Sequence, residues 1–314
     1  MYVHILILIG AFALVWFSAG LVVDTIGTMA RRLNLTSFSF SFFFLGLFTS
    51  ITEFMIGINA LQEGVPTIFV GNLLGGTVVL FGLVLPLLAL MTGGIKFKKE
   101  LTSLQLGLAL LYICLPAIAV ADGRVTLIEA IIILIGYPLI WLLVKVRRRS
   151  VLQSMFDRLV HHHFLLPNKS GQMLLGVVLL IVASRLLVQQ TLWLSTTFST
   201  TPFVVSLLML SIGSNLPELV VAVQAVLRKK TEVAYGSYLG SGVANAFFFG
   251  LLTIMHQQTI IVRDGLTLLF PAIFLLIILF FFFLRSLKGL SRVEGFTLLL
   301  IYVIYVAAEW LVAL

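Results

Sequence analysis

Charge is scarce in this sequence. Of 314 residues 10% are Asp, Glu, Lys or Arg, while 61% are hydrophobic. A soluble domain carries about 25% charged residues, so a chain this apolar has lipid as its solvent. Cysteine is nearly absent as well. The single Cys114 excludes an intrachain disulfide and any thiolate metal cluster. No His-Glu-x-x-His pattern occurs, and no histidine adjoins an acidic residue of the apolar runs, which argues against an intramembrane metalloenzyme. The N-terminus lacks a basic segment and a small-residue cleavage site ahead of its first apolar run. That run is expected to be a retained helix and not a signal peptide.

What is present is a series of apolar runs, each near the ~20 residues needed to cross a bilayer. They predict ten helices, at roughly 3–24, 36–60, 67–92, 103–121, 126–146, 172–190, 201–227, 234–256, 265–284 and 295–313. The net charge of +8 does not imply nucleic acid, because the basic residues fall between the runs. Arg31, Arg32, Lys96, Lys98, Lys99, Lys145, Arg147, Arg148, Arg149, Arg158, Lys169, Arg228, Lys229, Lys230, Arg285, Lys288 and Arg292 follow odd-numbered helices, which makes 17 of the 20 Lys and Arg. The opposite loops hold Arg124 and Arg263, and Arg185 lies within the sixth run. The positive-inside rule then puts the first group in the cytoplasm and both termini outside. The central loop, 147–171, is cytoplasmic on this reading. Its His161, His162 and His163 are expected to be solvated, since no cysteine or carboxylate cluster accompanies them.

A shift of 165 residues aligns the two halves without a gap. It places Glu53 on Glu218, Gly71 on Gly236, and Leu74-Gly75 on Leu239-Gly240. Five helices per half is an odd number, so the second copy enters the membrane from the opposite side. The expected fold is all-α integral membrane, with ten transmembrane helices as two inverted five-helix repeats, 1–146 and 172–314. Inverted repeats are a common plan of secondary transporters, with the ion site near the midplane between the copies.

Twelve residues are Asp or Glu, and Glu53 and Glu218 lie well inside the second and seventh runs. A carboxylate at the bilayer centre costs about 2.5 kcal/mol or more, which makes it a functional residue by default. Arg185 is the one intramembrane candidate for a structural ion pair, and one arginine cannot serve two glutamates. Ser50 and Asn215 lie about one turn before their glutamates, and Thr49 and Ser214 lie close on the same side. Pro217 removes a backbone donor and crowds the carbonyl of Gly213. Oxygen from carboxylate, hydroxyl, carboxamide and backbone suits a hard cation, Ca²⁺ or Na⁺. Ser241 and Asn245, one turn apart, can add to the set.

Gly213-Ser214-Asn215-Leu216-Pro217-Glu218, followed by Gly236-Ser237-Tyr238-Leu239-Gly240-Ser241 and Asn245, resembles the second α-repeat of the calcium/cation antiporter superfamily, the sodium/calcium exchangers. Thr49-Ser50 and Glu53, followed by Gly71-Asn72-Leu73-Leu74-Gly75, resembles the first. The resemblance implies exchange of Ca²⁺ against Na⁺ or H⁺, no cofactor, and alternating access by sliding of the first and sixth helices. It implies ion ligands at Thr49, Ser50, Glu53, Ser214, Asn215, Glu218, Ser241 and Asn245. It also exposes departures. Phe48 stands where the first repeat usually has Gly, and Thr52 where it has Pro. Gly76 and Leu80 stand where the third helix supplies Ser and Asn or Asp, and Asn245 where the eighth often supplies Asp. The thinned first-repeat half motivates an alternative, a non-transporting sensor or scaffold that keeps the fold. The short central loop has no room for the calcium-sensing domain of animal exchangers, so a prokaryotic-type member in a cytoplasmic membrane is expected. The expected partners are the lipid bilayer and small cations.

Overall fold

The computed structural model describes residues 2–30, 38, 41–96, 101–145, 167–227, 231–287 and 289–313. The chain is mostly helical. In order, the long helical stretches among the described residues are α1 (Tyr2–Ala30), α2 (Ser41–Gln62), α3 (Thr67–Thr92), α4 (Ser103–Val120), α5 (Leu127–Lys145), α6 (Pro167–Thr197), α7 (202–227), α8 (Thr231–His256), α9 (Leu269–Leu287) and α10 (Arg292–Ala313). Seven of them are long and apolar enough to cross a membrane, and three more contain shorter apolar stretches, Tyr2–Ser18, Leu127–Leu143 and Leu269–Arg285. Each predicted run overlaps one of these helices. The sixth is longer at both ends than 172–190, because Pro167 fits the first turn of a helix and the following polar residues continue it. The end of the expected central loop is therefore helical. His161, His162 and His163 lie outside the described residues.

Local chemistry explains the ends. Thr102 and Gln105 form a reciprocal capping box at the start of α4, with bonds of 3.2 and 2.9 Å. Gly93, at φ +80°, closes α3 in the left-handed region. Two short antiparallel pairings clip the helix connections together: β1 (Ile95–Lys96) on β4 (Gly289–Leu290), and β2 (Arg124–Val125) on β3 (Ile260–Ile261). Ile95 and Ile260 are 165 residues apart, and so are Arg124 and Gly289. The offset seen in the sequence thus recurs in where the chain pairs with itself.

It recurs again in α2 and α7. Each opens with a π-helical turn, Ser41–Leu45 and Ser206–Leu210, and continues through one α-helical turn, Gly46–Thr49 and Ser211–Ser214. Each then breaks, at Ser50 (φ −75°, ψ 6°) and at Asn215 (φ −88°, ψ 8°). Side chains near the breaks compete for helical carbonyls: Thr49 Oγ1 donates to Leu45 O at 2.9 Å, and Asn215 Nδ2 to Ser211 O at 2.8 Å. Pro217 follows only the second break. Thr52 holds its place in the first, so the proline is not what breaks these helices.

Glycines let α3 and α8 cross onto these segments at close range. A Cβ at Gly71 would overlap Ser206 and the Phe203 carbonyl, and one at Gly75 would overlap the Leu207 carbonyl. At Gly236 it would meet the Phe38 carbonyl and Ser41, and at Gly240 the Phe42 carbonyl. Small residues allow this backbone approach where lipid supplies no hydrophobic drive between helices. The consequence is that α3 packs on the first turns of α7, and α8 on those of α2. α1 lies along α6 outside this core. Their ends are joined by His4, whose Nδ1 lies 2.9 Å from Gln190 Oε1 and whose ring stacks on Trp193 at 4.0 Å. Asn59 Nδ2 donates to Ser184 Oγ at 2.8 Å, tying α2 to α6.

Candidate ion site

The two breaks put both glutamates at helix starts. Glu53 lies in the first turn of Ile51–Gln62, and Glu218 in the first turn of Leu216–Leu227. The partial positive charge of a helix N-terminus favours an anion there. Both side chains are buried. Ser214 flanks Glu53, while Thr49, Ser50 and Ser241 flank Glu218, none of them in hydrogen-bond geometry to the carboxylate oxygens. Each glutamate therefore faces hydroxyls of the opposite half.

All eight sequence-predicted residues are buried within this core. Thr49 Oγ1 lies 2.9 Å from Ser241 Oγ, and Ser50 Oγ donates to the Ser241 carbonyl at 3.5 Å. Asn215 Nδ2 reaches Ser214 Oγ at 3.4 Å. A Cβ at Gly76 would stand 3.0 Å from Asn215 Nδ2 and 3.2 Å from Asn245 Nδ2. Thus α2, α3, α7 and α8 meet at one place, and two carboxamides occupy the space where a side chain at position 76 would lie. Leu80, one turn further along α3, is fully buried.

The donor set is conspicuous for what it leaves unpaired. All four oxygens of Glu53 and Glu218 are buried with no hydrogen-bond partner, as are Asn215 Oδ1 and both polar atoms of Asn245. A buried polar group without a partner costs about 1–3 kcal/mol, and a charged one more. A cation held among these oxygens offsets that cost. Two carboxylates and neutral oxygens match the preference of a hard cation. Among the described residues no group of three or more His, Cys, Asp or Glu could hold a metal, so any ion here relies on hydroxyl and amide oxygens beyond the glutamates.

Arg185 takes no part. It lies on an outward face of α6, 63% exposed, with its Nε 3.8 Å from Glu63 Oε1 near the end of α2. Sequence position alone suggested an intramembrane counter-ion; the helical phase of α6 turns the side chain away. Three further buried polar residues were not assigned a role from the sequence, although Asn72 and Thr52 lie in its motifs. Asn72 is fully buried and its Oδ1 accepts from Ser214 Oγ at 3.1 Å. Thr52 leaves its hydroxyl unpartnered beside Glu53. Glu309 in α10, 2% exposed, keeps one carboxylate oxygen buried without a partner, and Tyr305 one turn away keeps its hydroxyl so. A lone polar residue in an apolar run is the available signal for Asn72, and depth within the last run for Glu309.

A bundle of membrane-length helices with two buried carboxylates at paired helix breaks is the plan of a membrane transport protein. Residues 3–146 and 170–311 match the family described as sodium/calcium exchanger protein, and the chain belongs to that family, within the calcium/cation antiporter superfamily. It is 26% identical to the putative antiporter CaxA of Alkalimonas amylolytica over 96% of each chain. It is also 26% identical to the inner membrane protein YrbG of Escherichia coli K12, over 76% of this chain and 75% of that one. The fold is that of the sodium-calcium exchanger NCX_Mj, at TM-score 0.67 and 19% identity, covering 98% of this chain and 99% of that one. It is shared by the H⁺/Ca²⁺ exchanger CAX, at TM-score 0.73 and 15% identity, covering 99% of this chain and 86% of that one.

Proposed function

We propose that this protein is a secondary-active cation antiporter, exchanging Ca²⁺ or a related divalent cation for Na⁺ or H⁺ at a site near the membrane midplane. Glu53 and Glu218 bind either the divalent ion or the coupling ions, never both sets at once. Thr49, Ser50, Ser214, Asn215, Ser241 and Asn245 supply the neutral oxygens. Residues 1–146 and 172–314 act as two inverted five-helix repeats joined by a cytoplasmic loop over 147–171, with both termini outside a prokaryotic cytoplasmic membrane. α1 and α6, which lie together outside the glycine-packed core, slide as one body to open the site to alternate faces.

The observation that carries this reading is the set of four buried carboxylate oxygens without a hydrogen-bond partner, drawn from two helix breaks that face each other. Family membership supports it, as do the relatives, one a putative antiporter and two others exchangers of Ca²⁺. Two carboxylates balance one divalent ion or about two monovalent ones, which suits competition at a single site. Reconstituted vesicles with an outward-directed Na⁺ or H⁺ gradient are expected to accumulate Ca²⁺. Wild-type uptake no greater than that of a variant carrying both Glu53→Gln and Glu218→Gln would falsify the proposal. Parallel assays with Mn²⁺ and Mg²⁺, under separate Na⁺ and pH gradients, identify the cargo and its coupling ion.

A further inference from the structure

The two halves of the site differ in how their hydroxyls are held. Thr49 and Ser214 stand at the same place in α2 and α7, 165 residues apart. Thr49 Oγ1 meets Ser241 Oγ of α8 at 2.9 Å. The position of α3 that matches Ser241 is Gly76, which has no hydroxyl to offer. Ser214 instead donates to Asn72 Oδ1, one turn earlier on α3, at 3.1 Å. Its other acceptor is the carbonyl of Ser211 in its own helix, at 3.3 Å, and that oxygen already accepts from Asn215 Nδ2 at 2.8 Å. Among the described residues the bond to Asn72 is the only side-chain hydrogen bond joining α3 to α7. The break in α2, by contrast, is joined to α8 twice, through Thr49 and Ser50.

We propose that Asn72 is a positioning residue for ion binding: its carboxamide oxygen holds Ser214, and through it Asn215, in the geometry that the missing hydroxyl at position 76 leaves unsupported. Three features converge on this. Asn72 is fully buried in an otherwise apolar stretch of α3, where an unexplained amide is costly. Its Oδ1 is used and its Nδ2 is not, so the oxygen is what the site calls on. By accepting a hydrogen bond from Ser214, Asn72 points the hydroxyl proton at α3, so that a lone pair of Ser214 Oγ beyond the one Asn215 Nδ2 reaches is left for a cation. Ser214 flanks Glu53, so the residue acts on the carboxylate less well served by its own half. Asn72 itself touches no cargo on this view; it orders the ligands that do.

The inference rests on the antiporter reading for its transport readout but not for its binding readout. Asn72→Leu keeps the approximate volume and removes the acceptor. Asn72→Leu is expected to raise the KM for Ca²⁺ about tenfold, the upper range of one hydrogen bond, with kcat within about twofold of wild type. Ser214→Ala removes the donor and, with it, a proposed cation oxygen, so it is expected to raise KM at least as far. Asn72→Leu is expected to add little on the Ser214→Ala background, because the bond it removes is already gone. The same ordering is expected in the Ca²⁺-induced rise of melting temperature in detergent, while melting without divalent ion stays near wild type. An Asn72→Leu protein with wild-type KM and wild-type ion-induced stabilisation overturns the inference, as do single effects that add in full. Wild-type protein stabilised by Ca²⁺ through Asn72 yet giving no uptake overturns antiport alone.

Discussion

The break in α2 and the break in α7 share a backbone and differ in chemistry. Both follow a π-helical turn and one α-helical turn, and both deliver a glutamate in the first turn beyond. Yet the α7 copy has Gly213, Asn215 and Pro217 where the α2 copy has Phe48, Ser50 and Thr52. The difference is absorbed by neighbours. A Cβ at Gly213 would collide with the ring of Phe12 on α1. Phe48 instead packs with Val177 against Leu180 on α6, and Val177 is the residue 165 positions after Phe12. The large side chain sits on α1 in one half and on α2 in the other. The same kind of exchange holds the hydroxyls, with Ser241 serving Thr49 and Asn72 serving Ser214. A shared backbone thus tolerates unlike side chains so long as volume and oxygen supply are restored by something in contact. At Gly76 the space of a side chain is taken by the carboxamides of Asn215 and Asn245.

That comparison can be broken most severely at its common element. Glu53→Gln and Glu218→Gln are each expected to abolish gradient-driven uptake, because either change halves the charge available to a divalent ion; vesicle flux measures this. If one substitution were tolerated, the two halves would be functionally unequal at their centre as well as at their margins. Next comes the packing exchange. Phe48→Gly removes a half-buried ring from Leu180 and is expected to destabilise the fold by about 1–3 kcal/mol, below the full cost of a core phenylalanine. Adding Val177→Phe recreates the arrangement of the other half and is expected to recover a large part of that loss, read from melting temperatures in detergent. Full additivity of the two changes would mean that the halves are not packed by the same rule. A smaller effect, in the same assay, is expected from Asn59→Leu. It removes the bond to Ser184 between α2 and α6 and should cost about 1 kcal/mol. The smallest is at Arg185. Its pair with Glu63 is exposed and 3.8 Å long, so Arg185→Gln is expected to change stability by less than about 1 kcal/mol and to leave the KM for cation unchanged. A marked change in KM would return Arg185 to the site from which its orientation removes it.

Much of the architecture was legible because membrane helices are written locally. A run of about 20 apolar residues has few structures open to it when no water can satisfy its backbone. The helices 67–92 and 103–121 agree with the structure closely, and capping residues such as Thr102 mark their ends. The glutamates and their neighbouring hydroxyls were legible for a related reason, since polarity inside an apolar run has few explanations. Facing was much harder to read. α3 is buried nearly all round, so its apolar pattern has no polar side to orient it, and Asn72 could not be aimed at Ser214 from periodicity. The outward turn of Arg185 toward Glu63 was hidden by the same gap, because depth along a helix says nothing of its rotation. Pro217 drew attention to one break and hid the other. The break at Ser50 arises without proline, from hydroxyls that bind helical carbonyls and from close packing against α8.

By itself the sequence determined the membrane class, the helical runs, the 165-residue correspondence and the burial of two glutamates, since each follows from hydrophobicity and spacing along the chain. Only the tertiary structure decided which hydroxyl faces which glutamate, that two amides fill the place of a side chain at position 76, that Asn72 meets Ser214, and that Arg185 turns to Glu63. Those are relations between helices in different halves. They depend on crossing points set by glycine contacts more than 100 residues apart in sequence, and no local pattern encodes the rotation of one buried helix against another.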